Sequence, residues 1–353
     1  MKRKLLVLLM LFGLIAAACG DDDSNGGDGG GSGDDGEIQG EMLPQVRLAI
    51  DNDDFMNQLA WMVADERYWP DLGFEEEADV VASDEYLAGL FGGDVWVAQG
   101  ESDVIWAALA EGSVPLKIIG VEKDTEAFFL GIGEGVDPDD LSGLKISGGP
   151  PGDRNITVGE RILEDMGYSP DDLEWVSVDG GSDERLTALI AGQIDVAVLQ
   201  PRHIIPLEDA GGEMIHQEYE DSPQEVWVVK EETLAENEPA VCAYLEGRIA
   251  AKQWIGEGED YTDNQDTAVA IAEERGLDPS EGDLSEWEAE ITGNWSMDGG
   301  SPAESFAQWT EDMIANENVP EDFDWTEHVD FDCLWQAQET LGLELNPVPE
   351  EVE

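Results

Sequence analysis

The segment from position 148 to position 155 contains residue types well suited to binding a small charged molecule. It reads Gly-Gly-Pro-Pro-Gly-Asp-Arg-Asn. Gly148 and Gly149 expose backbone amides just before a predicted helix, and the positive end of a helix attracts anions. The guanidinium of Arg154 has the planar fork that pairs with a carboxylate or a sulfonate, and Asn155 follows it. The alternative is an ordinary strand-to-helix turn whose arginine faces solvent.

A second polar segment, 51–55, reads Asp-Asn-Asp-Asp-Phe. Its aspartates are able to bind an amine, which would suit a cationic or zwitterionic ligand. Aspartate is also a preferred N-cap residue, so the same side chains are suited to capping the next helix. Because 83 residues of the chain are acidic, the capping interpretation is favoured.

These segments must be positioned by strands and helices. Short apolar strands alternate with amphipathic helices from position 46 to position 229, and helical periodicity continues to the end. We predict strands at 46–50, 78–82, 94–98, 115–121, 127–132, 144–147, 174–178, 194–199 and 226–229, and helices at 57–68, 84–91, 102–110, 153–167 and 182–191. The pattern is typical of an α/β fold with two lobes, each a mainly parallel sheet flanked by helices, plus a helical C-terminal extension.

In such folds the carboxyl ends of strands and the amino ends of helices point into one crevice, where ligands bind. The predicted loops at 51–55, 99–102, 148–155 and 179–183 lie at those ends, together with the strand end at position 200. The candidate ligand-binding residues are Asp51, Asn52, Asp53, Gln99, Ser102, Gly148, Gly149, Arg154, Asn155, Asp179 and Gln200.

The composition indicates a folded and very acidic protein. The chain has 353 residues, 41% of them hydrophobic, so it can bury a sizeable core. Without the three basic residues at 2–4, 13 of the 16 basic residues remain against 83 acidic ones. A surface this negative repels nucleic acid and anionic lipid. We interpret the charge as adaptation to a salty medium rather than as a clue to the ligand.

Several kinds of chemistry lack their motifs. No Cys-x-x-Cys or His-x-x-x-His spacing occurs and the three histidines are scattered, so no metal site is predicted. The glycine run at 131–135 lacks the spacing of a dinucleotide loop, and no P-loop or Gly-x-Ser-x-Gly turn is present. Acid pairs arise by chance among so many carboxylates and cannot indicate a glycosidase. We therefore predict neither a cofactor nor a catalytic residue.

The beginning of the chain is typical of an exported protein. Three basic residues at 2–4 precede an apolar run at 5–15, and three alanines come directly before Cys19. The run is shorter than the roughly 20 apolar residues of a membrane span, so a retained anchor is the less favoured alternative. Positions 20–40 are rich in glycine, serine and acids, which predicts a flexible tether. We expect a signal peptide at 1–18 and a tether at 19–43.

Two other cysteines, Cys242 and Cys333, lie within apolar helical patterns. In an exported protein such a pair is a candidate disulfide, which would close a loop of about ninety residues. Two buried free thiols are the alternative.

Several segments, taken in order, resemble one family. The segments 140–148 (DLSGLKISG) and 186–197 (LTALIAGQIDVA) are similar to two motifs of the solute-binding proteins that serve ABC importers of sulfonates, nitrate and thiamine pyrimidine precursors. The segments 48–51 (LAID), 64–69 (ADERYW) and 92–98 (GGDVWVA) fit the opening of the same family. The six residues that end at Cys19 (LIAAAC) resemble the lipobox of bacterial lipoproteins, in which the cysteine is acylated.

The resemblance implies a type II periplasmic-binding fold. The first lobe would comprise 44–125 with 226–353, the second would comprise 126–225, and the segments 121–126 and 222–226 would form the hinge. The resemblance also implies a monomeric, lipid-anchored extracytoplasmic receptor at the cell membrane that performs no catalysis. It would bind a small anionic or zwitterionic solute between its lobes and deliver it to an ABC permease and its ATPase.

The 51–55 loop departs from family members that bind pyrimidine precursors. Asn52 stands in place of a tryptophan and Gln58 in place of a histidine, so the stacking ring is missing. Two alternatives stay open. One is an enzyme related to a fungal thiamine-pyrimidine synthase, although the cysteine-rich motif and active-site histidine of that family are absent. The other is a solute sensor that contacts a signalling receptor.

Overall fold

The computed structural model describes residues 45–51, 55–83, 85–151, 153–280, 283–284 and 287–347. The predicted signal peptide, Cys19 and the tether lie outside these ranges, as do Asn52 and Asp53. None of the helices within these ranges is both long enough and apolar enough to cross a bilayer.

Strands and helices alternate along the described chain. The strands are β1 (Gln45–Ile50), β2 (Glu76–Ala82), β3 (Val97–Glu101), β4 (Leu116–Ile132), β5 (Lys145–Ser147), β6 (Glu174–Trp175), β7 (Val196–Leu199) and β8 (Glu213–Lys230). The helices are α1 (Phe55–Arg67), α2 (Tyr86–Gly92), α3 (Ser102–Glu111), α4 (Arg154–Asp165), α5 (Ser182–Ile190), α6 (Ile204–Asp209), α7 (Glu231–Ile255), α8 (Gln265–Glu274), α9 (Trp287–Gly293), α10 (Ala303–Ala315) and α11 (Asp332–Leu341). Short 3-10 turns occur at Pro170–Asp172, Pro201–His203 and Trp325–His328.

Two long strands lie side by side in the middle of the sheet. The described strands are ordered β2-β1-β3-β8-β4-β7-β5-β6. β4 has 17 residues, β8 has 18, and the two pair antiparallel along their length. Their segments 116–121 and 226–230 lie on the side of β3, and their segments 127–132 and 213–219 lie on the side of β7.

The long strands divide the molecule into two halves of similar construction. In the first half β1, β2 and β3 are parallel to one another, and β8 is inserted antiparallel between β3 and β4. In the second half β5, β6 and β7 are parallel, and β4 is antiparallel to β7. Because β4 and β8 belong to both halves, each half contains a mainly parallel sheet of five strands flanked by helices. This arrangement confirms the predicted fold class. The lobe boundaries at 125/126 and 225/226 stay a prediction.

The continuity of β4 differs from the predicted strands. The sequence predicts an interruption at 122–126. β4 nevertheless continues through this segment, because β8 pairs with β4 both before and after it. Register shifts between Val121 and Lys123 and between Lys123 and Thr125 absorb the irregularity. β8 likewise continues through the predicted hinge at 222–226.

β3 begins at Val97, three residues later than predicted. Gly93 adopts a left-handed conformation, with φ of 83°, that ends α2. The amides of Asp94 and Val95 then bond back to the carbonyl oxygen of Gly89 and hold this segment in a turn. Gln99 therefore lies inside a strand, whereas the sequence predicts it in a loop.

The part of the chain after β8 packs on the first half. α7 and α8 both pack against α1, and α11 packs against α7. Trp69, which follows α1, stacks on Tyr244 of α7 with 5.5 Å between ring centroids. The Trp69 indole also donates a hydrogen bond to the backbone carbonyl of Tyr244 at 3.1 Å. The helical extension thus completes the core of the first half.

Cys242 of α7 and Cys333 of α11 are joined by a disulfide, with an S–S distance of 1.97 Å. The two cysteines are 91 positions apart in sequence. In the chain-entropy description, such a cross-link stabilises the fold because it restricts the unfolded chain.

We predict that the double variant Cys242→Ala, Cys333→Ala has a free energy of unfolding lower by about 4 kcal/mol, because the unfolded chain regains the freedom of the open loop. Denaturant unfolding in concentrated salt measures this difference. Dithiothreitol should destabilise the wild type by a similar amount and leave the double variant unchanged. Equal midpoints for the oxidised and reduced wild type would contradict the prediction.

Candidate functional site

Two adjoining cavities lie where the halves meet at β4 and β8. The first cavity has a volume of about 390 Å³ and the second a volume of about 650 Å³. Glu101, Gln200 and Gln224 line both, so the cavities are neighbours. Each takes residues from both halves and therefore lies between them.

The first cavity has an apolar part and a charged part. Phe55 and Met56, at the start of α1, supply apolar surface. The polar lining comes from α1, β3, β4, β8, the turn after β7, and the segment that contains α9. It consists of Asn57, Glu101, Lys123, Thr125, Gln200, Arg202, Gln224, Glu225, Ser280, Asp283, Glu290 and Asn294.

The second cavity lies between α4 and the helices α3 and α10. Phe128, Trp309 and Met313 contribute apolar surface. Ser102 is nearly fully buried at the start of α3, and its hydroxyl lies within hydrogen-bonding distance of the carbonyl oxygens of Pro223 and Gln224. The other polar or charged lining residues are Glu101, Asp103, Asp153, Asn155, Thr157, Arg161, Gln200, Gln224, Asp312, Asn316 and Asn318.

A fully buried ion cluster joins β4 to α7 beside the first cavity. Arg248 Nη2 lies 2.5 Å from Glu122 Oε2, and Lys252 Nζ lies 3.3 Å from Glu122 Oε1. Arg248 and Lys252 are four residues apart and therefore lie on the same face of α7. Lys252 Nζ also donates to the carbonyl oxygens of Glu122 and Ser296, at 2.5 and 3.0 Å. These contacts replace part of the water that the buried charges have lost, while Arg248 Nε and Nη1 have no hydrogen-bond partner among the described residues.

Hydrogen bonds connect this cluster to the wall of the first cavity. Arg248 Nη2 donates to Gln99 Oε1 at 2.9 Å, and Gln99 Nε2 donates to Glu225 Oε2 at 3.1 Å. Glu225 Oε1 pairs with the ammonium of Lys123 at 2.7 Å. Gln99 is fully buried, so it supports the cavity wall from behind. These contacts connect α7 to β4 and β8, the two strands that both halves share.

Burial and charge shift the pKa values within the cluster. Burial alone would raise the pKa of Glu122, but Arg248 and Lys252 outweigh it and hold the pKa below its usual value. Burial lowers the pKa of Lys252 to about 8, against the attraction of Glu122. One carboxylate shared by two cations cannot compensate both for lost hydration, which explains the lowered pKa of Lys252.

Lys123, on the cavity side, shifts in the opposite direction. Burial would lower its pKa, but Glu225, Glu290 and Asp51 together raise it above the usual value. The carboxylates around Lys123 therefore produce a strongly negative potential at this part of the first cavity.

Both basic side chains of the first cavity are already paired. Lys123 contacts Glu225, as described above. Arg202 Nε lies 3.9 Å from Asp183 Oδ1, and Arg202 Nη2 donates to the hydroxyl of Ser182 at 2.8 Å. Within the part of the chain that the structure describes, no three His, Cys, Asp or Glu side chains are placed to hold a metal ion.

The loop before α4 packs closely on the helix that follows it. A Cβ on Gly148 would lie 2.7 Å from the backbone nitrogen of Ile156, so the loop packs directly on the first turn of α4. The Asp153 carboxylate caps this turn and accepts hydrogen bonds from the backbone and side-chain nitrogens of Asn155, at 2.9 and 2.7 Å. A carboxylate of the chain itself thus occupies the helix end that the sequence predicts to bind an anion.

The cavities bring together part of the predicted ligand-binding set. The predicted residues that line a cavity are Ser102, Asn155 and Gln200. The predicted residues that are described but line neither cavity are Asp51, Gln99, Gly148, Gly149 and Asp179. Asn52, Asp53 and the side chain of Arg154 lie outside what the structure describes. The set as a whole stays a prediction.

Other cavity residues are absent from the sequence prediction. Lys123 and Glu225 fall in the segments 121–126 and 222–226, so the predicted hinge locates them without assigning them a binding role. Glu290 and Asn294 belong to the helical extension, and tertiary packing alone brings them to the first cavity. No signal in the local sequence identifies this second pair.

Solved structures share this fold. The chain is 15% identical to the periplasmic sulfonate-binding protein SsuA of a sulfonate ABC transporter from Methylobacillus flagellatus KT, covering 86% of this chain and 96% of that chain with a TM-score of 0.65. It is 14% identical to the periplasmic nitrate-binding protein NrtA from Synechocystis PCC 6803, covering 88% and 91% with a TM-score of 0.61. It is 13% identical to the Candida albicans CA3427 product, which exhibits the generic periplasmic binding protein fold, covering 84% and 95% with a TM-score of 0.53.

These similarities establish the fold of the chain. No protein-family model matches the sequence, and no curated protein matches it. The solved structures are all distant in sequence, so they identify the architecture rather than the ligand. The two-lobed periplasmic-binding fold expected from the sequence resemblance is confirmed.

We predict that Lys252 makes the stability of the protein rise with pH. Its pKa is about 8 in the folded chain, against a usual value of 10.5 that applies to the unfolded chain. Between these values the unfolded chain binds the additional proton, so the free energy of unfolding increases with pH, by about 2 kcal/mol between about pH 8 and about pH 9.5. Denaturant unfolding across this range measures the increase.

The variant Lys252→Met should lose this increase. Lys145→Met is the matched control, because Lys145 is exposed in β5, and it should keep the wild-type pH dependence. Identical pH dependence of the wild type and Lys252→Met would contradict the assignment.

Proposed function

We propose that the chain is the extracytoplasmic solute-binding component of an ABC importer. The observation that carries the proposal is the pair of cavities, about 390 and 650 Å³, between two halves that β4 and β8 join. Cavities of this size suit a small organic molecule. Sulfonate- and nitrate-binding proteins among the similar structures support the same class of function.

We also propose that the chain is anchored to the cell membrane through a lipid on Cys19. The export pattern at 1–18 and the lipobox-like residues before Cys19 support the anchor. The tether at 19–43 then holds the folded part away from the lipid. In this arrangement the lobe of 44–125 with 226–353 and the lobe of 126–225 are both outside the cytoplasm.

The proposed mechanism is capture of a solute followed by closure of the two lobes. Ser102 lines the cleft from the first half, and Asn155 and Gln200 line it from the second half with side-chain amides that suit a polar solute. A ligand that contacts both lobes stabilises the closed arrangement because it binds that arrangement more tightly. The permease would recognise the closed form and the ATPase would supply the energy for transport. The protein itself would break no bond.

We predict that Gln200→Ala weakens solute binding by about fivefold or more, because Gln200 lines both cavities and a lost hydrogen bond contributes about 1 kcal/mol. A thermal-shift screen in concentrated salt identifies the solute, since a ligand at 100 times its Kd stabilises by about 2.7 kcal/mol. Calorimetry then compares the variants. Gln193→Ala is the matched control, because Gln193 is exposed after α5 and should bind like the wild type.

Failure of every sulfonate, nitrate, carboxylate, amino acid, polyamine and vitamin precursor to stabilise the chain would contradict a receptor function. Equal affinity of Gln200→Ala and the wild type would contradict the assignment of Gln200 to the binding site. Conversion of the bound solute into a product would favour an enzyme instead.

We predict that Cys19→Ser releases the chain from the membrane fraction, because the serine cannot carry the thioether-linked lipid. Fractionation of the producing cells followed by mass spectrometry of the first residues tests this. Membrane association of the variant equal to that of the wild type would contradict the lipid anchor. Genes for a permease and an ATPase beside the gene for this chain would support import rather than sensing.

A further inference from the structure

The first cavity contains more carboxylates than cations. Glu101, Glu225, Asp283 and Glu290 line it, against Lys123 and Arg202. Of these four, Glu101 is exposed, Asp283 and Glu290 are partly exposed, and Glu225 is buried. Glu225 is 6% exposed and already pairs with Lys123, so the partner that a buried carboxylate requires is present there, and the two cations of the cavity leave the other carboxylates in excess.

Glu290 provides the clearest sign of a missing partner. Its Oε2 atom is buried, and it has no hydrogen-bond partner among the described residues. The side chain belongs to α9, lines the first cavity, and raises the pKa of the neighbouring Lys123. A buried acceptor without a donor is costly, so a donor that enters the cavity would be bound favourably.

The helix ends around the cleft are poorly prepared for an anion. Asp153 already caps α4 through the amide of Asn155, as described above. The amide of Val104 in α3 donates to the carboxylate of Asp103 at 2.6 Å. The amide before α5, at Gly181, donates to the carboxylate of Glu184 at 2.8 Å. An anionic ligand would have to compete with carboxylates of the chain at each of these places.

We infer that the solute is a small organic ammonium compound, a cation or a zwitterion, whose ammonium group binds in the first cavity at Glu290 and Glu225. The apolar surface of Phe55 and Met56 suits its carbon skeleton. The ammonium group donates to Glu290 Oε2 and offsets the charge excess of the cavity. This inference rests on the proposed function, and it replaces the expected anionic or zwitterionic solute with a cationic or zwitterionic one that carries an ammonium group.

Matched pairs of compounds test the inference and do not require the natural solute. 1,4-Diaminobutane is compared with 1,4-butanediol, and 2-aminoethanesulfonate with 2-hydroxyethanesulfonate, by calorimetry in concentrated salt. Ethanesulfonate and nitrate serve as pure anions. Within each pair the ammonium is replaced by a hydroxyl of similar size, so the difference in affinity reports the charge requirement.

We predict that at least one ammonium compound binds at least about tenfold more tightly than its hydroxyl partner, because a hydrogen bond between charged groups is strong. Glu290→Gln should weaken this binding at least about tenfold. Glu288→Gln removes the same charge from an exposed position of α9 and should leave the affinity unchanged. Thermal unfolding of both variants verifies that they are folded.

Each other outcome contradicts the inference. Tighter binding of a hydroxyl compound or of a pure anion, or ammonium binding that Glu290→Gln leaves unchanged, overturns the ammonium assignment while the receptor function stands. Binding of none of these compounds also overturns it. The receptor function fails separately, if no solute of any class stabilises the chain in the wider screen.

Discussion

The antiparallel pairing of β4 with β8 is the constraint on which the rest of the structure depends. Each strand is long enough to belong to both halves, so each half is completed by a strand that the other half shares. The halves therefore meet along this pair, and the two cavities lie at that meeting place. The irregular register near Lys123 is held by α7 through Glu122 and Arg248. A buried ion cluster of this kind contributes specific geometry more than net stability.

Carboxylates are stabilised differently on the surface and in the interior of this protein. On the surface, the acidic residues of this chain are tolerable because water and salt ions screen their repulsion. Inside, Glu122 is matched by two cations and Glu225 by Lys123, whereas Glu290 has a buried oxygen without a donor. The fold thus satisfies the carboxylates that hold the halves in position. Under the proposed ammonium binding, Glu290 would receive its donor from the solute.

The local pattern of apolar residues predicts most elements, because strand and helix periodicities are properties of short segments. The prediction fails where hydrogen bonds to another segment of the chain determine where a strand begins or ends. β4 continues through 122–126 because β8 pairs with it, and β3 starts late because a turn at Gly93 bonds back to α2. Neither pairing nor turn bonding is visible in apolar periodicity.

The sequence predicts fewer of the site residues than of the strands and helices, because packing between distant segments forms the cavities. Strand and helix ends point to Ser102, Asn155 and Gln200, which line the cavities. Glu290 reaches the first cavity from the helical extension, and its local sequence resembles any acidic helix. A sequence pattern also does not show whether a helix end is capped by its own carboxylate, as Asp153 does at α4.

The proposed function requires that a solute binds between the halves, beside the paired strands β4 and β8. A crystal structure of the full chain saturated with its tightest-binding solute tests this most directly. We expect the solute to be enclosed between the halves, in contact with residues of the first cavity such as Glu225. A solute bound elsewhere on the molecule, with the cleft between the halves empty, would contradict the account.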